Sequence, residues 1–421
     1  MKYKMHRERI NLILLQVMTF SYKAIGLATF SIRSESFRSP KDSKVSVDPG
    51  NPNETTKDDI SLKFVYSRCS SVYNVLLGCF LFGMNYSGIP SIYSTSYFNN
   101  TSLVQIIETT QAVCSIVVVT TAMFVYTVKQ KTAVRIAGRI IQMDRILLRM
   151  DDVFRDNIST WPSLCYFLGS VGLLVNHLTL EVIAFDEDVI SLFAVTFPSF
   201  IIYWLMLQYI FVVNLIGRRF KATNRALRGL IPRSNVAADF YPGIPLNLPG
   251  YVVANNSATG SIRKLQLVYM TLCEVCLEVS EYYGVPILLA ITYCFYSLVY
   301  NAYYVLGPFV MSREEMEFLI VLNSISWVVI LVSPIAVLAW SVTKTATEAK
   351  RTSGVVHKLL DSALSREAKI ELKQFSLQLL HKNVSFSAFE FFTLDFTLLH
   401  SILSAAATYL IILLQFQMSE N

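Results

Sequence analysis

Seven long apolar runs divide this chain, and polar segments separate them. The runs lie at about 64–86, 103–127, 162–184, 190–215, 284–306, 318–342 and 394–417. A helix needs about 20 consecutive apolar residues to cross a bilayer, and every run is near that length. Three runs contain a proline (Pro198, Pro286 and Pro334), which a spanning helix tolerates where its neighbours satisfy the freed carbonyls. The pattern therefore predicts an all-α membrane protein with seven transmembrane helices.

The apolar runs and the polar segments together divide the chain into four parts. Residues 1–63 form an N-terminal segment, in which 10–32 predicts an amphipathic helix and 33–63, with its prolines, predicts a loop. Residues 64–342 hold the first six spans. Residues 343–393 form a segment beyond the membrane, in which 343–382 carry a helical pattern, and 394–421 hold the seventh span and a short tail. Residues 261–283 predict a helix that runs into the fifth span, whereas 233–260 predict a loop.

Lysine and arginine lie almost entirely on one side of these runs. Of the 36, 34 fall in residues 1–63, 128–161, 216–283 and 343–393, while Arg313 lies on the other side and Arg68 lies within the first run. The positive-inside rule then places the N-terminus in the cytoplasm and the C-terminus outside. A cleaved signal peptide at 10–32 conflicts with this orientation, because the mature chain would begin outside. The orientation is also the reverse of that of a G-protein-coupled receptor.

Composition agrees with a polytopic membrane protein. The chain is 53% hydrophobic and 16% charged, with mean hydropathy +0.46, whereas soluble domains carry about 25% charged residues. No motif of a hydrolase, metalloprotease, P-loop or dinucleotide-binding site occurs, so the sequence predicts no enzyme and no cofactor. Cys273 and Cys276 have C-x-x-C spacing, but no second pair or nearby histidine completes a metal site. The basic residues lack the interleaved aromatic residues of a nucleic-acid surface.

Polar and aromatic residues in the outer halves of the spans are candidates for a ligand pocket. Aromatic walls with a few hydrogen-bonding groups suit small molecules, although aromatic residues also form belts at membrane interfaces. Glu108 and Glu181 either line this pocket or reach the headgroups, and His177 is either a ligand-binding or a packed polar residue. The candidate ligand-binding residues are Glu108, His177, Glu181, Tyr293, Tyr296, Tyr300, Asn323, Ser326 and Trp327.

The last run has two different faces on a helix. Residues three or four apart share a face, so Ser401, Ala405, Thr408, Ile412 and Gln415 form a small, polar stripe. The bulkier Tyr409, Leu413 and Phe416 form a stripe beside it and are expected to pack against neighbouring helices. One such helix cannot enclose a conduit, whereas several around an axis can.

Residues 380–416 resemble the C-terminal part of insect gustatory receptors. Thr408-Tyr409, five apolar residues and Gln415-Phe416 match the signature of that family, and the segments before it match in register: Leu380-His381, Val384–Ala388, Phe391–Asp395 and Leu398-Leu399. A weaker resemblance covers Arg219-Phe220-Lys221 with Asn224. Insect chemoreceptors share the inverted topology that the charge pattern predicts.

The resemblance implies a ligand-gated, non-selective cation channel for a small-molecule tastant in the plasma membrane of a sensory neuron. It also implies a homotetramer, or a heterotetramer with related receptors, in which the last helix of each subunit lines the pore. Gln415, Ile412, Thr408 and Ala405 are the expected pore-lining residues, with Ile412 as a hydrophobic constriction. Alternatives are an odorant-receptor-like channel subunit, a G-protein-coupled receptor, which the topology disfavours, and a transporter, for which no internal repeat is visible.

Overall fold

The computed structural model describes residues 17, 19–36, 60–94, 102–150, 161–185, 196–231, 249–310, 318–362 and 365–420. Nine helices carry the fold within these ranges: α1 (Arg68–Ser94), α2 (Ser102–Val128), α3 (Gln130–Met150), α4 (Trp161–Phe185), α5 (Phe197–Gly229), α6 (Pro249–Val310), α7 (Phe318–Leu360), α8 (Arg366–His381) and α9 (Phe396–Glu420). Two short antiparallel strand pairs join them: β1 (Phe30–Ser36) with β2 (Ile60–Tyr66), and β3 (Ser387–Ala388) with β4 (Phe392–Thr393).

Seven of these helices are long and apolar enough to cross a membrane, namely α1, α2, α4, α5, α6, α7 and α9. Each coincides with one of the predicted runs, so the predicted fold class is confirmed. Their outward faces stay apolar, as exposed Phe80 and Val117 illustrate, because such faces meet lipid rather than water.

Several helices continue past the apolar runs. Helix α5 extends to Gly229, α7 extends to Leu360, and α6 has 62 residues and is therefore about 93 Å long. The loop predicted at 233–260 is wrong for 249–260, which belong to α6; residues 232–248 lie outside the described ranges. The predicted helix over 343–382 is divided in two, since α7 ends at Leu360 and α8 begins at Arg366.

The segment before α1 folds onto the helix bundle. Residues 19–24 are helical, and the chain then turns at Gly26, whose φ of +81° favours glycine. Strand β1 follows and pairs with β2 from Phe30↔Tyr66 to Ser36↔Ile60. The loop predicted for 33–63 is therefore wrong at 33–36 and 60–63. Residues 37–59, and residues 1–16 with the start of the predicted interfacial helix, lie outside the described part of the chain.

Buried side-chain amides hold this turn in place. Asn74 donates to the carbonyl of Gly26 at 2.8 Å, Gln208 donates to that of Leu27 at 2.9 Å, and Gln130 donates to that of Thr29. Leu27 and Thr29 are almost fully buried. A buried carbonyl without a donor is costly, so these three amides are what allows irregular backbone to lie inside the bundle.

The helical extensions and the connecting helices pack together beyond the seven spans. Arg219 of α5 forms a two-pronged ion pair with Asp144 of α3, at 2.8 and 2.6 Å. Arg263 of α6 pairs with Glu371 of α8. The side chain of Ser365 caps α8 by accepting a hydrogen bond from the backbone N–H three residues on, at 3.2 Å.

The entry to α9 is fixed by a tight turn between β3 and β4. Phe389 and Glu390 have positive φ values of 48° and 62°. A Cβ at Gly284 of α6 would lie 3.2 Å from the backbone nitrogen of Phe389, so the glycine lets the turn approach α6 closely. Asp395 then caps α9 by accepting a hydrogen bond from the backbone N–H of Thr397 at 2.9 Å.

Candidate ligand pocket and pore helix

Tyr293 is the centre of a buried polar cluster between α2, α5 and α6. Its hydroxyl lies 2.6 Å from the hydroxyl of Ser199, and it accepts a hydrogen bond from Gln111 at 3.4 Å. All three side chains are buried. We call Gln111, Ser199 and Tyr293 the Tyr293 cluster.

Two further tyrosines of α6 bind α2 along the same interface. Tyr296 donates to the backbone carbonyl of Ile107 at 3.0 Å, and Tyr300 donates to the carboxylate of Glu108 at 2.5 Å. Glu108 is thus engaged by a neighbouring helix within the bundle, in contrast to the alternative in which it only reaches the headgroups.

His177 is the centre of a second cluster, between α4, α5 and α7. Its ring centroid lies 4.4 Å from that of Trp327 and 5.9 Å from that of Phe200, both edge-on, and Phe200 stacks on Trp327 at 6.2 Å. Nε2 of His177 lies 3.5 Å from the carboxylate of Glu181, one helical turn away. We call His177, Glu181, Phe200 and Trp327 the His177 cluster.

Several buried polar atoms on the helices that carry these clusters form no hydrogen bond with other described residues. They include both ring nitrogens of His177, the side-chain oxygen of Asn323 and the hydroxyl of Thr196. Leaving a buried polar group unsatisfied costs about 1–3 kcal/mol. Such groups are therefore suited to hydrogen bonds with a molecule that enters the bundle. Ser326 is only half-buried.

The first turn of α5 joins the two clusters. Ser199 contacts Tyr293 whereas the next residue, Phe200, contacts His177 and Trp327, because consecutive helical residues point about 100° apart. The structure thus places four of the nine candidate residues, Tyr293, His177, Glu181 and Trp327, in two adjacent clusters. Gln111, Ser199 and Phe200 were not predicted from the sequence to be site residues. The only sequence signal near Ser199 and Phe200 was the adjacent Pro198.

Helix α9 divides into a face on the bundle and a face directed away from it. Ile402 and Ala406 are buried and Leu413 packs against the core, while the ring of Tyr409 lies 5.9 Å from that of Phe295. On the other face Thr408, Ile412 and Gln415 are exposed and Ala405 is half-buried. The side chain of Phe416 lies outside the described part of the chain. Only 11% of the spanning part of α9 is buried.

The chain belongs to the family described as 7tm chemosensory receptors, because the model of that family matches residues 15–420. Gustatory receptors are among its relatives. It is 24% identical to gustatory receptor 28a of Drosophila melanogaster over 396 residues, which cover 85% of each protein. It is 32% identical to gustatory receptor 28b of the same species over 171 residues, which cover 39% of this chain and 36% of that relative.

The fold is similar to that of an insect olfactory receptor, OR5 of Machilis hrabei. The TM-score is 0.56 at 11% identity, and the match covers 96% of this chain and 99% of that one. At this identity the likeness shows a shared fold. Together with the seven candidate spans, family membership makes the chain a multi-pass chemosensory receptor of the plasma membrane.

Proposed function

We propose that this receptor is a ligand-gated, non-selective cation channel that opens when a small-molecule tastant binds in the outer half of the helix bundle. Four subunits, identical or related, surround one pore, which the α9 helices line, and the N-terminus and the lysine- and arginine-rich segments lie in the cytoplasm of a sensory neuron. The names of the relatives, gustatory and olfactory receptors, support a small chemical ligand.

The surface of α9 is the observation that carries the channel proposal. Leu413 packs on its own bundle and the ring of Tyr409 contacts Phe295, whereas Thr408 and Gln415 are exposed on the other face. Polar side chains inside a membrane face a bundle interior or a water-filled path rather than lipid. Symmetry-related copies around an axis supply such a path, with Gln415 as a neutral ring and Ile412, one turn inward, as a constriction that excludes water when closed.

The two clusters carry the ligand proposal. The unsatisfied atoms of His177 and Asn323 supply hydrogen bonds, and the rings of Trp327 and Phe200 supply an apolar wall. Sites for small molecules combine such walls with a few polar groups. Because α5 contributes to both clusters and α7 contributes Trp327, and both helices continue past the apolar runs, a ligand held here contacts helices that extend beyond the membrane.

Substitutions at Gln415 test the pore. An agonist is first identified by calcium imaging of cells that express the receptor with a tastant panel, and reversal potentials are then measured. We expect Gln415→Glu to raise calcium permeability or calcium block, because four carboxylates at the mouth attract divalent cations. Gln415→Arg should nearly abolish the cation current, because four positive charges repel the permeant ion.

The matched control is Gln417→Glu, the same chemical change two residues on, where the helix has turned about 200°. It should leave reversal potentials unchanged. If Gln415→Glu and the wild type have the same reversal potentials and the same block, α9 does not line the conduction path in this way.

A further inference from the structure

A cavity of ≈380 Å³ lies between α6, α7 and the end of α8, away from the two clusters of the outer half. Its volume is within the range of about 300–1,000 Å³ that is typical of small-molecule sites. Its wall combines two lysines (Lys350 and Lys382), three other hydrogen-bonding side chains (Tyr269, Ser353 and Asn383) and an aliphatic surface that includes Leu379 and Leu380.

The charge at this cavity is positive. Lys350 comes from α7 and Lys382 follows the last residue of α8, and no acidic residue is among those that line the cavity. The nearby carboxylates already have partners, since Glu348 pairs with Arg351 at 2.7 Å and Glu371 pairs with Arg263. Two ammonium groups that converge on one cavity without a carboxylate favour an anion.

The aliphatic wall restricts what kind of anion fits. A small inorganic anion would leave Leu379 and Leu380 in contact with water, whereas a neutral alkyl chain would desolvate the lysines without pairing them. We propose that this cavity binds an anionic amphiphile, that is, a carboxylate or phosphate headgroup joined to an alkyl chain. The headgroup pairs with Lys350 and Lys382, and the chain packs on Leu379 and Leu380.

The position of the cavity favours a free amphiphile over a lipid of the bilayer. From residue 342, where the sixth apolar run ends, the helix rises about 12 Å to Lys350, at 1.5 Å per residue. Tyr269 lies about 22 Å along α6 from Gly284, which marks the level at which the chain turns into α9. A phospholipid whose chains stay in the bilayer does not extend its headgroup over that distance, since the interfacial layer is only about 5–8 Å deep on each side.

Water-soluble octyl compounds test this inference on the full chain in phosphatidylcholine nanodiscs. Binding is measured by microscale thermophoresis and by the thermal shift of the receptor, with empty nanodiscs as the blank. We expect octyl phosphate and octanoate to bind and stabilise the receptor, and octan-1-ol and inorganic phosphate to bind about tenfold more weakly or not at all. Equal binding of octan-1-ol or of inorganic phosphate would overturn the proposal.

Lysine variants locate the site. We expect Lys350→Ala with Lys382→Ala to weaken octyl phosphate binding about tenfold or more. The control, Lys358→Ala with Lys373→Ala, removes the same charges from exposed positions on the same two helices and should leave binding unchanged. All four lysines are exposed, so folding is retained in both variants. Unchanged affinity in the cavity variant, or a thermal shift only when phosphatidic acid is added to the nanodisc bilayer, would contradict a free amphiphile in this cavity.

Discussion

Tyr293 and Trp327 are buried aromatic residues of the candidate pocket, the first in the Tyr293 cluster and the second in the His177 cluster. We expect Tyr293→Ala and Trp327→Ala to shift the agonist concentration for half-maximal current by tenfold or more, equivalent to about 1.4 kcal/mol. Trp327→Phe keeps an aromatic ring in the buried site and separates loss of ligand contacts from loss of folding. Dose–response curves measured at equal surface expression provide the comparison.

Trp340→Ala is the matched control for Trp327, because Trp340 lies on the same helix but is half exposed and contacts Lys344. It should leave the dose–response curve in place. If Tyr293→Ala and Trp327→Ala leave it in place as well, both side chains serve packing alone.

Asp395 links the stability of α9 to pH. The hydroxyl and backbone N–H of Thr397 donate to its carboxylate and hold its pKa below the ordinary value. A depressed pKa means that the cap stabilises the folded state above about pH 4 and that this contribution is lost as pH falls below that value. We expect Asp395→Ala to cost about 0.5–2 kcal/mol at pH 7.

Melting temperatures of the purified receptor at pH 7 and at pH 3, below the ordinary pKa of an aspartate, test this cap. Asp395→Asn should keep most of the cap and make the melting temperature less dependent on pH over this interval. A wild type and an Asp395→Asn variant with the same pH dependence would show that the carboxylate does not act as a charged cap.

Residue types alone indicated only part of the candidate pocket. The acidic residues of the spans were identifiable because they are costly in lipid, and the aromatic residues because such side chains form the walls of small-molecule sites. Ser199 and Gln111 were not, because a serine or glutamine in a long apolar run is an ordinary residue until the helix opposite it is known. The division into two clusters also depends on how α5 is rotated about its axis, which apolar runs of this kind do not encode.

At the scale of elements, α5 and α7 lie close together at Gly217. A Cβ at this position would lie 2.5 Å from the hydroxyl oxygen of Thr345, which donates to the carbonyl of Val213 at 3.2 Å. We expect Gly217→Ala to destabilise the fold by about 1–3 kcal/mol through this overlap. Thr345→Ala in the same chain removes the overlapping atom and should restore most of the loss.

Melting temperatures of the two single variants and the double variant in detergent measure this coupling. Gly229→Ala is the control, since a Cβ at that position meets no atom within 4 Å. Additive effects of Gly217→Ala and Thr345→Ala would rule out the close contact.

Helices that a long apolar run forms were predictable from the sequence. Strands that pair across a long stretch of chain, and a helix start within a polar segment, were missed. All seven spans follow from hydropathy. Residues 33–36 of β1 and 60–63 of β2 were predicted as loop, because 23 residues separate the two strands and the strand character of each depends on the other. The start of α6 at Pro249 was missed for a related reason: proline marks a loop in general but is also suited to the first turn of a helix.

At the scale of the whole molecule, the distribution of charge predicts how the chain crosses the membrane. We expect an epitope tag after Asn421 to be stained on intact cells and a tag before Met1 to be stained only after permeabilisation, because 34 of the 36 lysines and arginines would then be cytoplasmic. Both tags are read in one cell line, with an antibody against a cytosolic protein as the control for membrane integrity. The reverse pattern would contradict both the orientation and the proposed channel.

The pairing of β1 with β2 also has a practical consequence for protein engineering. Because Ser36 is opposite Ile60, the two ends of the intervening stretch lie next to each other. A circularly permuted fluorescent protein has neighbouring termini as well, so it can replace part of residues 37–59 without separating the two strands. Since β1 follows directly on the buried turn at Gly26, such a reporter would be coupled through seven residues of strand to the interior of the receptor.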